Sequence, residues 1–206
     1  ELVNSAINLK MLDYTKKKED KGSLKIKGKY LPSSFFVLKS VKFAQDKNLI
    51  DIKNIKFNKS NKIQSIDEIS LSIFNNNDNP SKLNIKRKNN NYSIIGEIFD
   101  GTKLVDEILF SKNEDNFFDL FDNLNSNVSI LIDTAYLSKI DFFSSLDANL
   151  IIKNNEILNL NLLSKFPNNE EFKVSIRTNE NKEKITTLFT NYAKPLVKKY
   201  KFIKGF

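Results

Sequence analysis

The chain has 206 residues, 40% of them apolar, and contains no cysteine, histidine or tryptophan. That composition supports a core and suits one large domain or two small ones, but it excludes Cys- or His-dependent nucleophilic catalysis and the usual zinc ligand sets. The net charge of +8 invites an anionic partner; Lys is nevertheless spread along the whole chain, and with abundant Asn, Ile and Phe it reads as a low-GC coding bias.

Taken in order, residues 6–11 alternate apolar and polar side chains and read as a strand, and residues 16–22 as a charged turn. Residues 23–30 alternate strictly, with Leu24, Ile26 and Tyr30 on one face and Lys25, Lys27 and Lys29 on the other; Leu31-Pro32 breaks the pattern. A strand over 35–43 and a turn at 46–48 follow. Residues 49–58 change apolar parity midway, from Ile50 and Ile52 to Ile55 and Phe57. One extra residue near Lys53-Asn54 restores the face, which is the signature of a bulge. Residues 69–73 (Ile69, Leu71 and Ile73 on one face), 83–86 and 92–99 are further strands, separated by polar turns at 75–81 and 89–91.

The period then changes. Leu104, Val105, Ile108 and Leu109 form a helical stripe after Asp100-Gly101-Thr102, which predicts a helix over about 102–110 with Asp100 or Thr102 as N-cap. A second short helical piece is expected at 117–121. Residues 127–138 return to strand, with Val128, Ile130 and Ile132 inward. The clearest alternation comes next: Leu146, Ala148, Leu150 and Ile152, then Leu158, Leu160 and Leu162, with Asp147, Asn149, Asn159 and Asn161 between them. A three-residue loop at 154–156 pairs residue 152 with 158 and 150 with 160, keeping both apolar sets on one side. Strands at 172–177, with Val174 and Ile176 inward, and 184–189 follow. Residues 191–199 take helical spacing with Pro195 in the first turn. Many strands joined by short turns, with one or two short helices, predict a mainly β chain built on a long antiparallel, twisted or curled sheet. No run of about 18 apolar residues occurs. Glu1 begins in mid-pattern, so residues 1–206 read as one elongated internal segment of a longer protein.

Little here points to chemistry. The acidic cluster of Glu114, Asp115, Asp119 and Asp122 lacks the calcium-loop spacing and reads as a solvated surface. Asp133 and Asp141 are outward or terminal on strands, an arrangement any β protein of this size offers, so no carboxylate pair is assigned and the chain reads as a non-enzyme. Lys194, Lys198, Lys199, Lys201 and Lys204 interleave with Tyr192, Tyr200 and Phe202. A basic-aromatic stretch can bind single-stranded nucleic acid, but Lys at a helix C-terminus explains it more simply. No cofactor, metal or nucleic-acid partner is expected.

Residues 92–104, Tyr-Ser-Ile-Ile-Gly-Glu-Ile-Phe-Asp-Gly-Thr-Lys-Leu, resemble the strand, G-x-x-F-D step and short helix of the AsmA-like C-terminal region, in the superfamily of AsmA, YhdP and TamB. Residues 127–133 resemble its following strand, and residues 146–163 its L-x-G-x-L hairpin, with Asn149 in place of the usual Gly. Residues 188–196 resemble its S-x-D-A-G-x-L-L step, with Tyr192 and Lys194 where the family has Asp and Gly; Ile203 to Phe206 resemble the start of its G-G strand. The resemblance covers 92–206. It implies a Gram-negative envelope protein, anchored in the inner membrane through a segment not in this chain, facing the periplasm, whose β-sheet curls into an open hydrophobic groove carrying phospholipid toward the outer membrane. The expected lining is Leu24, Ile26, Val128, Ile130, Ile132, Leu146, Leu150, Ile152, Leu158, Leu160, Leu162, Val174 and Ile176, with phospholipid acyl chains as partner. A seven-residue strand spans about 23 Å, near the length of a lipid tail, and about twelve strands at 4.8 Å spacing make a rail of about 55 Å. The alternatives are a closed β-sandwich serving as a scaffold or interaction module, and a basic nucleic-acid-binding domain.

Overall fold

The computed structural model describes residues 1–31, 35–103, 117–138, 140–181, 183–194 and 197. The chain opens with a small hairpin, β1 (Ile7–Leu9) and β2 (Tyr14–Lys16), joined by a 3-10 turn at Lys10–Leu12. There follow β3 (Ser23–Leu31), β4 (Phe35–Gln45), β5 (Asn48–Phe57), β6 (Ile63–Phe74), β7 (Pro80–Lys88) and β8 (Asn91–Asp100). After a 3-10 turn at Phe117–Leu120 come β9 (Ser126–Tyr136), β10 (Phe142–Lys153), β11 (Glu156–Lys165), β12 (Glu171–Thr178) and β13 (Lys184–Thr190). Strands β3 to β13 form one eleven-stranded sheet in strict chain order. Among the described residues the sheet is not closed, and β3 and β13 are its two edges.

Nearly every neighbour pair is antiparallel, as the short polar turns require. The exception is β8 with β9, which run parallel. Their connection leaves the sheet at Gly101 and returns through Phe121, which bridges to Ile63, before β9 begins. An excursion of this length can bring the chain back to the end it left, which a tight turn cannot. The expectation of wholly antiparallel pairing is corrected at this one seam. The predicted helix over 102–110 lies outside the described residues apart from its first two, Thr102 and Lys103, which are helical. Asp100 caps them through its carboxylate, which accepts the Thr102 N–H at 2.9 Å. The short piece expected at 117–121 is the 3-10 turn at Phe117–Leu120. Of the helix expected at 191–199, only residues through 194 and Val197 are described; the Val197 N–H donates to the Ala193 carbonyl at 3.0 Å.

The turns account for the scarcity of glycine. Of the twelve non-glycine residues with positive φ among the described residues, eleven are Asn or Asp, the residue types that tolerate the left-handed region best. Asn therefore has a structural role beyond coding bias. The β10–β11 connection corrects an expectation. It is a two-residue turn with Asn154 and Asn155 at φ 53° and 65°, the hairpin form that matches strand twist. Ile152 pairs with Ile157, and Ile151 with Asn159, so Leu158 is the extra residue of a bulge. The bulge reconciles the two faces that an uninterrupted two-residue hairpin would have set in opposition. The pairing of Leu150 with Leu160 is as expected. The extra residue expected near Lys53-Asn54 is not inserted. Asn54 has φ 53° and is unpaired, but Lys39 and Asp67 opposite it are skipped as well, so β4, β5 and β6 keep their register across it. The apolar parity changes in all three strands together, Ile55 beyond it is buried, and the β5–β6 ladder shifts only at Lys56/Phe57.

The charged turn expected at residues 16–22 is present from Lys17 onward, with Lys17, Lys18, Glu19 and Lys21 exposed and the Asp20 N–H donating to the Lys17 carbonyl at 3.3 Å; Lys16 departs from it. Lys16 ends β2 and is fully buried, its ammonium donating to the carbonyls of Ser5 at 2.8 Å and Lys17 at 3.0 Å. Its four-carbon stem packs at Gly22, where an added Cβ would lie 3.0 Å from Lys16 Cε.

Candidate functional site, a continuous aliphatic face

Residues paired across a sheet point to the same face, so the register defines what each face presents. One row crosses the entire sheet: Ile26, Val41, Ile52, Ile69, Ile85, Ile94, Ile130, Ala148, Leu162, Val174 and Leu188. All eleven strands contribute one residue, and every one is aliphatic. Only Ala148 is fully buried; Ile26 and Leu188, on the edge strands, are 55% and 45% exposed, and the others are half-buried. A residue in the middle of a filled two-layer core is ordinarily buried throughout. This row is not.

A second row lies toward one end of the strands: Leu24, Phe43, Ile50, Leu71, Leu83, Gly96, Ile132 and Leu146. Here the face has a cover. Leu2, Ile7, Leu9, Leu12 and Tyr14 pack into the same cluster as Phe43, Leu71, Ile73, Leu83 and Ile132. Residues 1–22 thus form a strap over this end of the face. Tyr14 meets Phe43 edge-on at 5.9 Å, and its hydroxyl donates to Gln45 Oε1. Burial, with Asp20 and Asp46 nearby, pushes that hydroxyl up to about 12.

The strap is pinned by the β6–β7 turn. The Asn76 N–H donates to the Asp13 carbonyl at 2.8 Å, Asn77 Nδ2 donates to Asp13 Oδ2 at 2.9 Å, and the Thr15 N–H donates to Asn76 Oδ1 at 3.0 Å. The same turn holds Asp100. Asn75 Nδ2 and Asn79 Nδ2 donate to Asp100 Oδ2 at 2.8 and 2.7 Å. Burial pushes the Asp100 carboxyl up, but the hydrogen bonds from Thr102, Asn79 and Asn75 outweigh it and hold the group below the ordinary carboxylate value.

Toward the other end, Val128, Leu150, Leu160 and Ile176 form a row across β9 to β12. Val128 is buried, the other three are half-buried, and none belongs to the cluster beneath the strap. The thirteen residues expected from the sequence as lining therefore fall into these rows, with two exceptions. Ile152 pairs with Ser126 and is buried. Leu158 occupies the bulge. Missed were Val41, Ile52, Ile69, Ile85, Ile94, Ala148 and Leu188, which complete the middle row; except at Ile94, beside the equally apolar Ile95, their signal was the same alternation that identified the rest. Also missed was an aromatic cluster near the start of β10, in which Phe143 stacks on Phe172 at 4.5 Å and Phe166 meets Tyr192 at 5.3 Å.

The opposite face carries the surface ion pairs Lys42–Asp51 at 2.9 Å, Lys53–Glu68 at 3.0 Å and Lys82–Glu97 at 2.6 Å, interspersed with exposed apolar side chains such as Leu49, Ile95, Leu131 and Leu163. Asp119, Asp122 and Asp133 are exposed, and Asp141 accepts from the Ser138 hydroxyl at 2.9 Å within the β9–β10 turn. No helix among the described residues is long and apolar enough to cross a membrane. Among the described residues the fold is an open, eleven-stranded sheet with a continuous aliphatic row across one face. No family model matches the chain, and neither a curated protein nor a solved structure is significantly similar to it.

Proposed function

We propose that this chain is a lipid-conducting segment of a periplasmic bridge protein, along whose aliphatic face phospholipid acyl chains move toward the outer membrane. In this reading the inner-membrane anchor lies in a part of the protein outside these residues. The observation that carries it is the unbroken aliphatic row from Ile26 to Leu188. A lipid conductor needs an apolar path without a polar interruption, because a headgroup-free chain pays for each unpaired polar contact. An aliphatic strip left half-exposed across eleven strands is otherwise hard to justify in water. The motif resemblance of residues 92–206 supports the same reading.

The test uses Leu150 and Leu160, which face each other on β10 and β11. Mass spectrometry of an organic extract from the purified protein should find phospholipid. Leu150→Asp and Leu160→Asp should keep the β-sheet circular dichroism of the parent and lose the lipid, because each carboxylate can reach water when no acyl chain covers it. In a sealed core the same carboxylate would be buried unpaired, at a cost comparable to the whole stability of about 5–15 kcal/mol. Cooperative unfolding of both variants, with no lipid in the parent, would overturn the proposal in favour of a scaffold or interaction module.

A further inference from the structure

Among the described residues the sheet ends at β3 and β13, and these two edges differ in chemistry. A free edge strand displays unpaired backbone N–H and C=O groups and invites another strand; long charged side chains, Lys above all, discourage it. Strand β3 has that protection: Lys25, Lys27 and Lys29 are all exposed along it. Strand β13 does not. Its seven residues, Lys-Ile-Thr-Thr-Leu-Phe-Thr, carry one charge, on Lys184 at the end, and that ammonium lies 3.1 Å from the Glu156 carboxylate. Six of the seven residues are exposed, among them Ile185 at 56%, Leu188 at 45% and Phe189 at 48%.

We infer that β13 pairs with β13 of a second copy of this chain, antiparallel about a two-fold axis at Thr187. The strand is self-complementary in that register. Ile185 falls opposite Phe189 of the partner copy and Phe189 opposite Ile185, on one face; Thr186 falls opposite Leu188 on the other. Lys184 meets the uncharged Thr190, so no like charges oppose one another. A two-fold axis perpendicular to the sheet keeps each face on its own side, so the aliphatic rows of the two copies meet at the seam. The same operation at β3 would crowd two sets of lysines onto one face, where like charges facing each other destabilise a strand pair. Closed two-fold pairing also leaves β3 at both ends of the joined sheet, where its lysines limit further growth.

The axis makes Thr187 its own neighbour, which gives a decisive test. A seven-residue strand pair buries less than the roughly 1,200 Å² of a stable complex, so sedimentation is run at tens to hundreds of micromolar. The parent should shift toward twice its monomer mass of 23.8 kDa. Thr187→Lys and Thr187→Glu should each be monomeric, and an equal mixture of the two should regain the dimer. The chain has no cysteine, so a single Thr187→Cys substitution supplies an independent probe. Two antiparallel partners at the axis have Cα atoms about 4.5–5.5 Å apart, within disulfide range. Oxidation of the two thiols should give one covalent dimer, whereas Lys27→Cys should not cross-link. A parent that stays monomeric throughout the range overturns the inference. So does a dimer that survives both charged substitutions, or a mass that keeps growing with concentration, the mark of head-to-tail pairing.

Discussion

Gly96 tests whether the packing of β8 on β7 is as tight as the register implies. The β7–β8 ladder shifts between Lys82 and Leu83, so that Leu83 faces Gly96 while Lys82 faces Ile98. A Cβ at Gly96 would lie 2.2 Å from Leu83 Cδ2 and 3.0 Å from the Lys82 carbonyl oxygen. Leu83 is buried and cannot swing freely aside, and the carbonyl belongs to the backbone. Overpacking of this kind costs about 1–3 kcal/mol, while replacing Gly by Ala within a strand returns about 0.5–1 kcal/mol of backbone entropy. Gly96→Ala should therefore destabilise the domain by a net of about 0.5–2 kcal/mol in urea unfolding followed by circular dichroism. Leu83→Ala alone should cost about 2–5 kcal/mol by leaving a cavity. In the double variant the new methyl enters the space Leu83 vacates, so its loss should be about 1–3 kcal/mol smaller than the sum of the two single losses. A Gly96→Ala variant as stable as the parent, or a double variant additive within about 0.5 kcal/mol, would refute the close approach.

Two further outcomes concern titrating groups. The carboxyl of Asp100 is held below its ordinary 3.8 in the folded state, so its stabilisation is whole above that value and is lost as pH falls through the lower folded value; Asp100→Asn should remove that part of the acid unfolding profile, read from urea midpoints between about pH 5 and 2. The Tyr14 hydroxyl is raised from 10.0 to about 12, so the neutral phenol stabilises the fold below pH 10, and the parent should lose that stability as pH rises through this window; Tyr14→Phe should cost about 0.5–1.5 kcal/mol at neutral pH for the lost Gln45 bond and show a flatter alkaline profile.

Alternation made most of the sheet legible in advance. Where one face is wet and the other dry, the side-chain period of two is written directly into the residues, as in Leu146 to Ile152 and Ser23 to Tyr30. Three features were hidden for physical reasons. The parallel seam depends on where the chain after Gly101 returns, a long-range matter that no local pattern carries. The bulge at Leu158 was misread as a longer loop because both devices restore parity between the same apolar sets. Residues 16–22 are rich in charge, yet Lys16 is buried because two carbonyls capture its ammonium and Gly22 admits its stem. Of the site, the rows of β9 to β12 were legible. Ile94 was not, because Ile95 beside it is equally apolar but faces outward and is 56% exposed. The ring cluster of Phe143, Phe166, Phe172 and Tyr192 joins residues too distant in sequence to be paired by inspection.

The distribution of exposure along the aliphatic face bears on what completes it. Backbone pairing alone gives a single-layer sheet little reason to persist, since its stability rests on how much apolar surface leaves water, at about 25 cal/mol per Å². The strap supplies cover at one end, where Phe43, Leu71, Ile73, Leu83 and Ile132 are each below 10% exposed. Beyond it, Leu150, Leu160 and Ile176 remain half-buried, and the edges are barer still. The floor there is uneven: Ala148, fully buried, sits between Ile130 and Leu162, so the row dips at its smallest residue. A second sheet packed on such a floor would need matching large residues over the dip to avoid a void. A flexible acyl chain adjusts its path to the dip without such matching. Half-exposed rows, an uneven floor and a strap confined to one end thus favour a mobile apolar cover over a rigid one, which is why lipid is the occupant proposed for the rows that no described residue covers.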